Sequence, residues 1–162
     1  ASMRAQSGAR IPLSTQFDGP VSVVGSGTLL IGQRCRLGRN VHFDTSRAGR
    51  IVLGDRVRIN TGSVIAAEAG VSIGDDSLIG EYVSIRDANH GTSPGAAVRT
   101  QALMATEIRI GRDVWIGRGC CILKGVCIED GAVIGANSVV TRDVAANTIC
   151  VGSPAHKIGD RA

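Results

Sequence analysis

Residues 110–144 read IGRDVWIGRGCCILKGVCIEDGAVIGANSVVTRDV, and an aliphatic residue opens every sixth position: Ile110, Ile116, Ile122, Ile128, Ile134 and Val140. The same period runs back through Ile31, Leu37, Phe43, Leu53, Ile59, Ile65, Ile73, Ile79 and Ile85. Four residues after most starts stands a small or branched side chain, among them Cys35, Val57, Ser63, Ala69, Ser77, Val114, Ala132 and Ser138, so both positions are expected to face inward. A period of six is incompatible with an α-helix at 3.6 residues per turn, and the hairpin signals that plain strands of this length would need between them are missing. Three residues after a start come Asn40, Gly62, Asp76, Asp113, Gly119, Gly125, Gly131, Asn137 and Asp143, types that tolerate left-handed backbone angles. Each hexad therefore reads as a short strand plus a corner. Three hexads close a triangular coil, and roughly six coils stacked at about 4.8 Å build a three-sided prism.

Sorting the starts by threes gives three columns, each apolar throughout: Ile31, Leu53, Ile73, Ile110, Ile128; Leu37, Ile59, Ile79, Ile116, Ile134; and Phe43, Ile65, Ile85, Ile122, Val140. The period is interrupted between Phe43 and Leu53, between Ile65 and Ile73, and between Ile85 and Ile110. All three interruptions follow the third column, so they leave the prism at one corner. Loops gathered on one face of a solenoid usually build its binding site. The longest, about residues 86–107, is polar and carries Asp87, Asn89 and His90. That corner is the expected active site, with Asp87 and Asn89 as acceptor-binding candidates and His90 above the short insert containing Glu68.

The chain has 162 residues, of which 43% are hydrophobic, enough for one domain with a sizeable core, while two Phe, one Trp and one Tyr leave that core to aliphatics. The expected organisation is an extension over residues 1–20, a β-helix over 21–152 and a short tail over 153–162. Ala1 and Ser2 ahead of Met3 read as a cloning remnant. With no long apolar run and no secretory leader, the expected compartment is the cytoplasm, with no membrane span. Sixteen Arg and two Lys against 14 acids are scattered along the chain. A basic surface with so few aromatics suits a nucleotide-bearing cofactor better than nucleic acid. Five cysteines without CxxC spacing read as reduced and mostly structural.

The segment over residues 110–144, followed by VGSPAHKI, resembles the hexapeptide-repeat acyltransferases, and the likeness extends over about residues 21–158. The resemblance implies an all-β, left-handed parallel β-helix and a homotrimer with coenzyme and acceptor bound between subunits. It is strongest toward the sugar O-acetyltransferases of the maltose and galactoside type. These move acetyl directly from acetyl-CoA with a loop histidine as general base and no metal. Matched through VWIG and IGANSVVTRD, the coenzyme would lie along Trp115, Gly117, Arg118, Ala136, Thr141 and Arg142, with Lys157 near a phosphate. Matched back from Val71–Gly74, Asn60 falls near the reacting acyl group and Glu68 on the acceptor sugar. The histidine stands in RDANHG rather than a THP-like setting, and no N-terminal helical segment is evident, which favours the smaller polysaccharide-biosynthesis enzymes.

The chemistry is consistent with those placements. Imidazole titrates near neutrality, so His90 can take a hydroxyl proton as that oxygen attacks an acyl carbon. Small residues such as Gly117 and Ala136 let a pantetheine arm approach the backbone, while Arg and Lys oppose its phosphates. Trp115 can equally pack on the wall between Leu78 and Val133. Cys127, expected one coil above His90, leaves a Cys/His acyl-enzyme as a rival. His42 and His156 are too dispersed to suggest a zinc site. An N-acetyltransferase acting on an amino-sugar nucleotide and a noncatalytic β-helix scaffold remain the alternatives, the second disfavoured by a polar insert bearing histidine.

Overall fold

The computed structural model describes residues 8–162, so the reading of Ala1–Met3 as a remnant lies outside the described residues. Three sheets, parallel but for the last strand of the second, form the walls of a left-handed parallel β-helix of about 7 turns. The first wall stacks Ala9–Arg10, Thr28–Ile31, Arg50–Leu53, Val71–Ile73, Ile108–Ile110 and Cys127–Ile128. The second stacks Gln16–Phe17, Arg36–Leu37, Arg58–Ile59, Leu78–Ile79, Trp115–Ile116, Val133–Ile134, Thr148–Gly152 and Ala155–Asp160. The third stacks Val21–Gly25, Val41–Thr45, Val64–Ala67, Ser84–Arg86, Cys121–Ile122 and Val139–Val140.

The columns expected from the sequence are the registers of these walls. Ile73 lies between Leu53 and Ile110, Ile79 between Ile59 and Ile116, and Ile85 between Ile65 and Ile122. Every hexad start from Ile31 to Val140 is buried, and burying each such aliphatic contributes about 1.5–3 kcal/mol. The corners hold because their polar groups are spent across coils. Asp55 accepts the Gln33 N–H at 2.7 Å, Asp75 the Asp55 N–H at 2.9 Å, and Asp130 the Arg112 N–H at 2.7 Å. Inside, the Ser63 hydroxyl donates to the Gly80 carbonyl at 2.8 Å and Ser77 to that of Gly111 at 2.9 Å, which allows serine at a buried position.

Four details differ from the sequence reading. Stacking begins at Ala9 rather than at residue 21, with Ala9–Arg10 on Thr28–Ile31 and Gln16–Phe17 on Arg36–Leu37. This first coil lacks aliphatics at the hexad spacing, so its membership rests on backbone pairing. The expected tail forms the strand Ala155–Asp160, which folds back antiparallel on Thr148–Gly152. Ala69 is only partly buried; Ala67 and Val71 fill the interior instead, because the strand starting at Val64 stays extended before its insert. Left-handed backbone follows hexad position more closely than residue type: Arg34, Arg56 and Tyr82 adopt φ of 56°, 56° and 55°, whereas Asp143, at the end of the last regular coil, does not join them. No helix among the described residues is long and apolar enough to cross a membrane.

Candidate active site

The long insert leaves the third wall as a hairpin, with Ala88–His90 antiparallel to Leu103–Ala105 and His90 opposite Leu103. Its tip is tied by Gln101, whose side chain accepts the Ser93 N–H at 2.9 Å and donates to the Ser93 and Ala96 carbonyls, each at 3.0 Å. Its root is tied by Asp87, which is 1% exposed. One oxygen of that carboxylate accepts the Glu68 N–H at 2.8 Å; the other accepts those of Ala69 at 2.8 Å and Gly70 at 2.7 Å. Asp87 was expected on the acceptor. With its oxygens occupied by three main-chain donors, it positions the insert instead.

A cleft of about 810 Å³ opens at this corner, where Asp44, Glu68, Arg86, Asn89, His90 and Lys124 bring their polar groups. His90 is exposed, and its ring makes no hydrogen bond among the described residues. Glu68 and Asn89 therefore stand with His90 as expected. Asp44, Arg86 and Lys124 were not anticipated, although the repeat carries the signal: Asp44 and Arg86 follow third-column starts directly, and Lys124 stands two positions after Ile122. Cys127, by contrast, is absent from this cleft. It lies on the first wall beside Arg109, its N–H bonded to Asp143 at 2.8 Å, so the expected stacking above His90 does not occur. The strand Cys127–Ile128 belongs to the next wall, around the corner from the hairpin.

The residues matched to the coenzyme lie elsewhere on the chain. Asn60, Trp115, Gly117, Arg118 and Ala136 line a second groove, of about 460 Å³, at the corner between the second and third walls. Trp115 stacks in register between Leu78 and Val133 and remains 54% exposed, so it packs on the wall and still offers a face to a ligand. Arg118 lies 5.6 Å above the Tyr82 ring. At Gly117 a Cβ would come within 2.7 Å of the Ala136 nitrogen, so only glycine permits this coil spacing. Asn60 accepts the Arg58 Nε–H through Oδ1 at 3.0 Å, which leaves its Nδ2–H free to donate. Thr141 and Arg142 line a third groove, of about 370 Å³, with Pro154 and His156. Lys157 projects from the final strand and pairs with Asp160 at 2.6 Å. Within one chain, His90 and these coenzyme candidates are not brought together. Among the described residues no group of three or more His, Cys, Asp or Glu is arranged to hold a metal ion.

Comparison with known proteins agrees with the architecture. The bacterial transferase hexapeptide family (six repeats) matches residues 107–142, and the hexapeptide repeat of succinyl-transferase matches residues 28–67. The chain is 33% identical over 144 residues to WbbJ of Escherichia coli (strain K12), named as a lipopolysaccharide biosynthesis O-acetyl transferase, covering 84% of this chain and 74% of that one. Among solved structures, a maltose O-acetyltransferase from Clostridium difficile 630 is 28% identical with a TM-score of 0.74, over 82% of this chain and 70% of that one. A hexapeptide-repeat acetyltransferase from Vibrio cholerae O1 biovar eltor, in complex with acetyl-CoA, is 29% identical with a TM-score of 0.66, over 86% and 71%. With the repeat, the registers and the single loop-bearing corner in place, this chain belongs to the hexapeptide-repeat acyltransferase family, in its O-acetyltransferase branch.

Proposed function

We propose that this protein moves the acetyl group of acetyl-CoA directly to a hydroxyl of a sugar or polysaccharide precursor, with His90 as general base. The observation that carries the reading is an exposed imidazole, free of protein hydrogen bonds among the described residues, in the polar cleft of about 810 Å³ where all the inserts converge. O-Acetyltransferases among its relatives support the reaction class.

In the step, an imidazole nitrogen takes the hydroxyl proton as the oxygen attacks the thioester carbonyl carbon. A C–O bond forms, the tetrahedral intermediate collapses with cleavage of the C–S bond, and the imidazolium returns the proton to the departing thiolate. The products are the acetyl ester and coenzyme A. The developing oxyanion needs a donor, and the Nδ2–H of Asn60 suits that role because Arg58 already occupies its oxygen. Glu68 and Asn89 bind the acceptor. Trp115, Gly117, Arg118 and Ala136 bind the coenzyme, with Thr141, Arg142 and Lys157 toward its phosphates.

Asn60, Trp115, Gly117, Arg118 and Ala136 occupy a different edge of the prism from His90, so the site requires a second chain. A homotrimer, in which the groove of one subunit faces the His90 corner of its neighbour, supplies three equivalent composite sites. The test is steady-state transfer by His90→Ala and His90→Gln with saturating acetyl-CoA and a panel of hydroxyl and amine sugar acceptors. Both variants lose about 10²-fold or more in turnover if His90 is the base. Near-wild-type turnover rejects the assignment.

A further inference from the structure

The His90 cleft holds two cations that general-base transfer does not use. Resting on the O-acetyl transfer reading, we infer that Arg86 and Lys124 select an acceptor bearing a negative charge, a carboxylate or phosphate on its saccharide. Asp44, Ala66 and Arg86 occupy one register position on three successive coils of the third wall. Because the middle residue presents only a methyl group, a shelf opens between an acid and a base whose backbone positions are about 9.6 Å apart at two strand spacings. Lys124, half-buried, lines the same cleft.

Neither cation is ion-paired among the described residues. Two arginines elsewhere are matched by carboxylates one coil away, Arg36 by Asp18 at 2.9 Å and Arg56 by Asp76 at 2.5 Å, whereas Arg50 and Arg58, like Arg86, have no ion pair among the described residues; what sets Arg86 apart is that it shares a cleft with Lys124 and His90. Of the carboxylates lining the cleft, Asp87 is occupied by main-chain N–H groups, and Asp44 and Glu68 make no ion pair with either cation. A half-buried ammonium that touches no carboxylate can gain a charge-assisted hydrogen bond from a ligand anion. A neutral sugar would need donors and acceptors here but no formal positive charge. The coenzyme phosphates have their own candidates in Arg118 and Lys157, away from this corner, and in Arg142, which stands one coil beyond Lys124 on the same edge but lines a separate groove. The ligand thus spans the shelf, with its anionic group on Arg86 and Lys124 and its hydroxyls toward Asp44, Glu68 and His90.

Methyl β-glucoside, methyl β-glucuronide and glucose 1-phosphate separate the possibilities. Wild-type kcat/KM should favour one or both anionic sugars over the neutral glycoside by about tenfold or more, as charged hydrogen bonds do, and added salt should erode the preference. Carboxylate or phosphate as the preferred anion follows from which of the two wins. In Arg86→Gln and Lys124→Gln the ratio of anionic to neutral kcat/KM should collapse toward one. Binding of the same three sugars, followed by saturation-transfer NMR, reads the preference without turnover. Equal handling of neutral and anionic sugars overturns the inference. So does a rise in the KM for acetyl-CoA in the two variants with the acceptor ratio unchanged, since the cations would then serve the coenzyme. Retention of turnover by His90→Ala overturns the transfer reading instead, so the two failures are distinguishable.

Discussion

The Asp87 carboxylate holds the Gly70 N–H at 2.7 Å, although 17 residues separate them in the chain. This contact binds the short insert of one coil to the root of the long hairpin of the next. His90 stands three residues beyond that anchor, so its position depends on a buried carboxylate held by main-chain N–H groups.

Asp87→Asn tests the anchor. An amide offers one acceptor oxygen where three donors converge, and its NH₂ group would face a main-chain N–H. The variant should lose about 2 kcal/mol of stability, read as a lower denaturation midpoint, and should raise the KM for the acceptor more than that for acetyl-CoA. A stable variant with unchanged acceptor KM would leave Asp87 without a positioning role.

Gly117→Ala tests the coenzyme groove. The added methyl group would meet the Ala136 nitrogen at 2.7 Å and the Ile134 carbonyl oxygen at 2.9 Å, both backbone atoms that cannot step aside. Overpacking of this kind costs about 1–3 kcal/mol. Opening of the coil spacing should also raise the KM for acetyl-CoA, measurable beside thermal unfolding, with little change in acceptor KM.

Cys127→Ser should keep transfer activity, since Cys127 lies on a wall away from the His90 cleft. A thiol-selective reagent at neutral pH should modify the part-exposed Cys121 and Cys127 before Cys35 and Cys120, whose thiols are pushed up by burial. Peptide mapping by mass spectrometry gives the order. Loss of turnover in Cys127→Ser would revive an acyl-enzyme route.

The Arg56 guanidinium donates to both oxygens of Asp76, at 2.5 and 2.7 Å, and this hydrogen bonding holds the Asp76 carboxyl below the usual carboxylate range. A depressed folded value contributes stability that is complete above the unfolded value of about 3.9 and is lost as pH falls through the folded one. Asp76→Asn should therefore cost a little at neutral pH and flatten the acid limb of a Tm-against-pH curve. Both partners are exposed, so added salt should shrink the difference.

The prism and its loop-bearing corner were legible because both are written in spacing. A solenoid places residues in register by counting, so Ile59, Ile79 and Ile116 declare one wall without any knowledge of contacts, and interruptions after Phe43, Ile65 and Ile85 declare one edge. The same counting reaches Arg34, Arg56 and Tyr82, which take left-handed angles because the corner requires them, whatever their residue type prefers. The first coil escaped it, since Ala9 and Gln16 join the stack through backbone hydrogen bonds that impose no side-chain pattern.

Within the site, sequence alone placed His90, Glu68 and Asn89 at one corner, since each lies in or beside an insert whose exit point the repeat determines. Only the tertiary structure decided that Asp87 turns inward to three main-chain donors, that Cys127 lies around the corner, and that Lys124 and Arg86 reach the cleft. Those outcomes depend on the direction of a side chain at a bend, where a rotation of one residue exchanges burial for exposure. The separation of Asn60 and Trp115 from His90 is likewise a property of the closed triangle, because residues close in sequence register can stand on different edges of a prism.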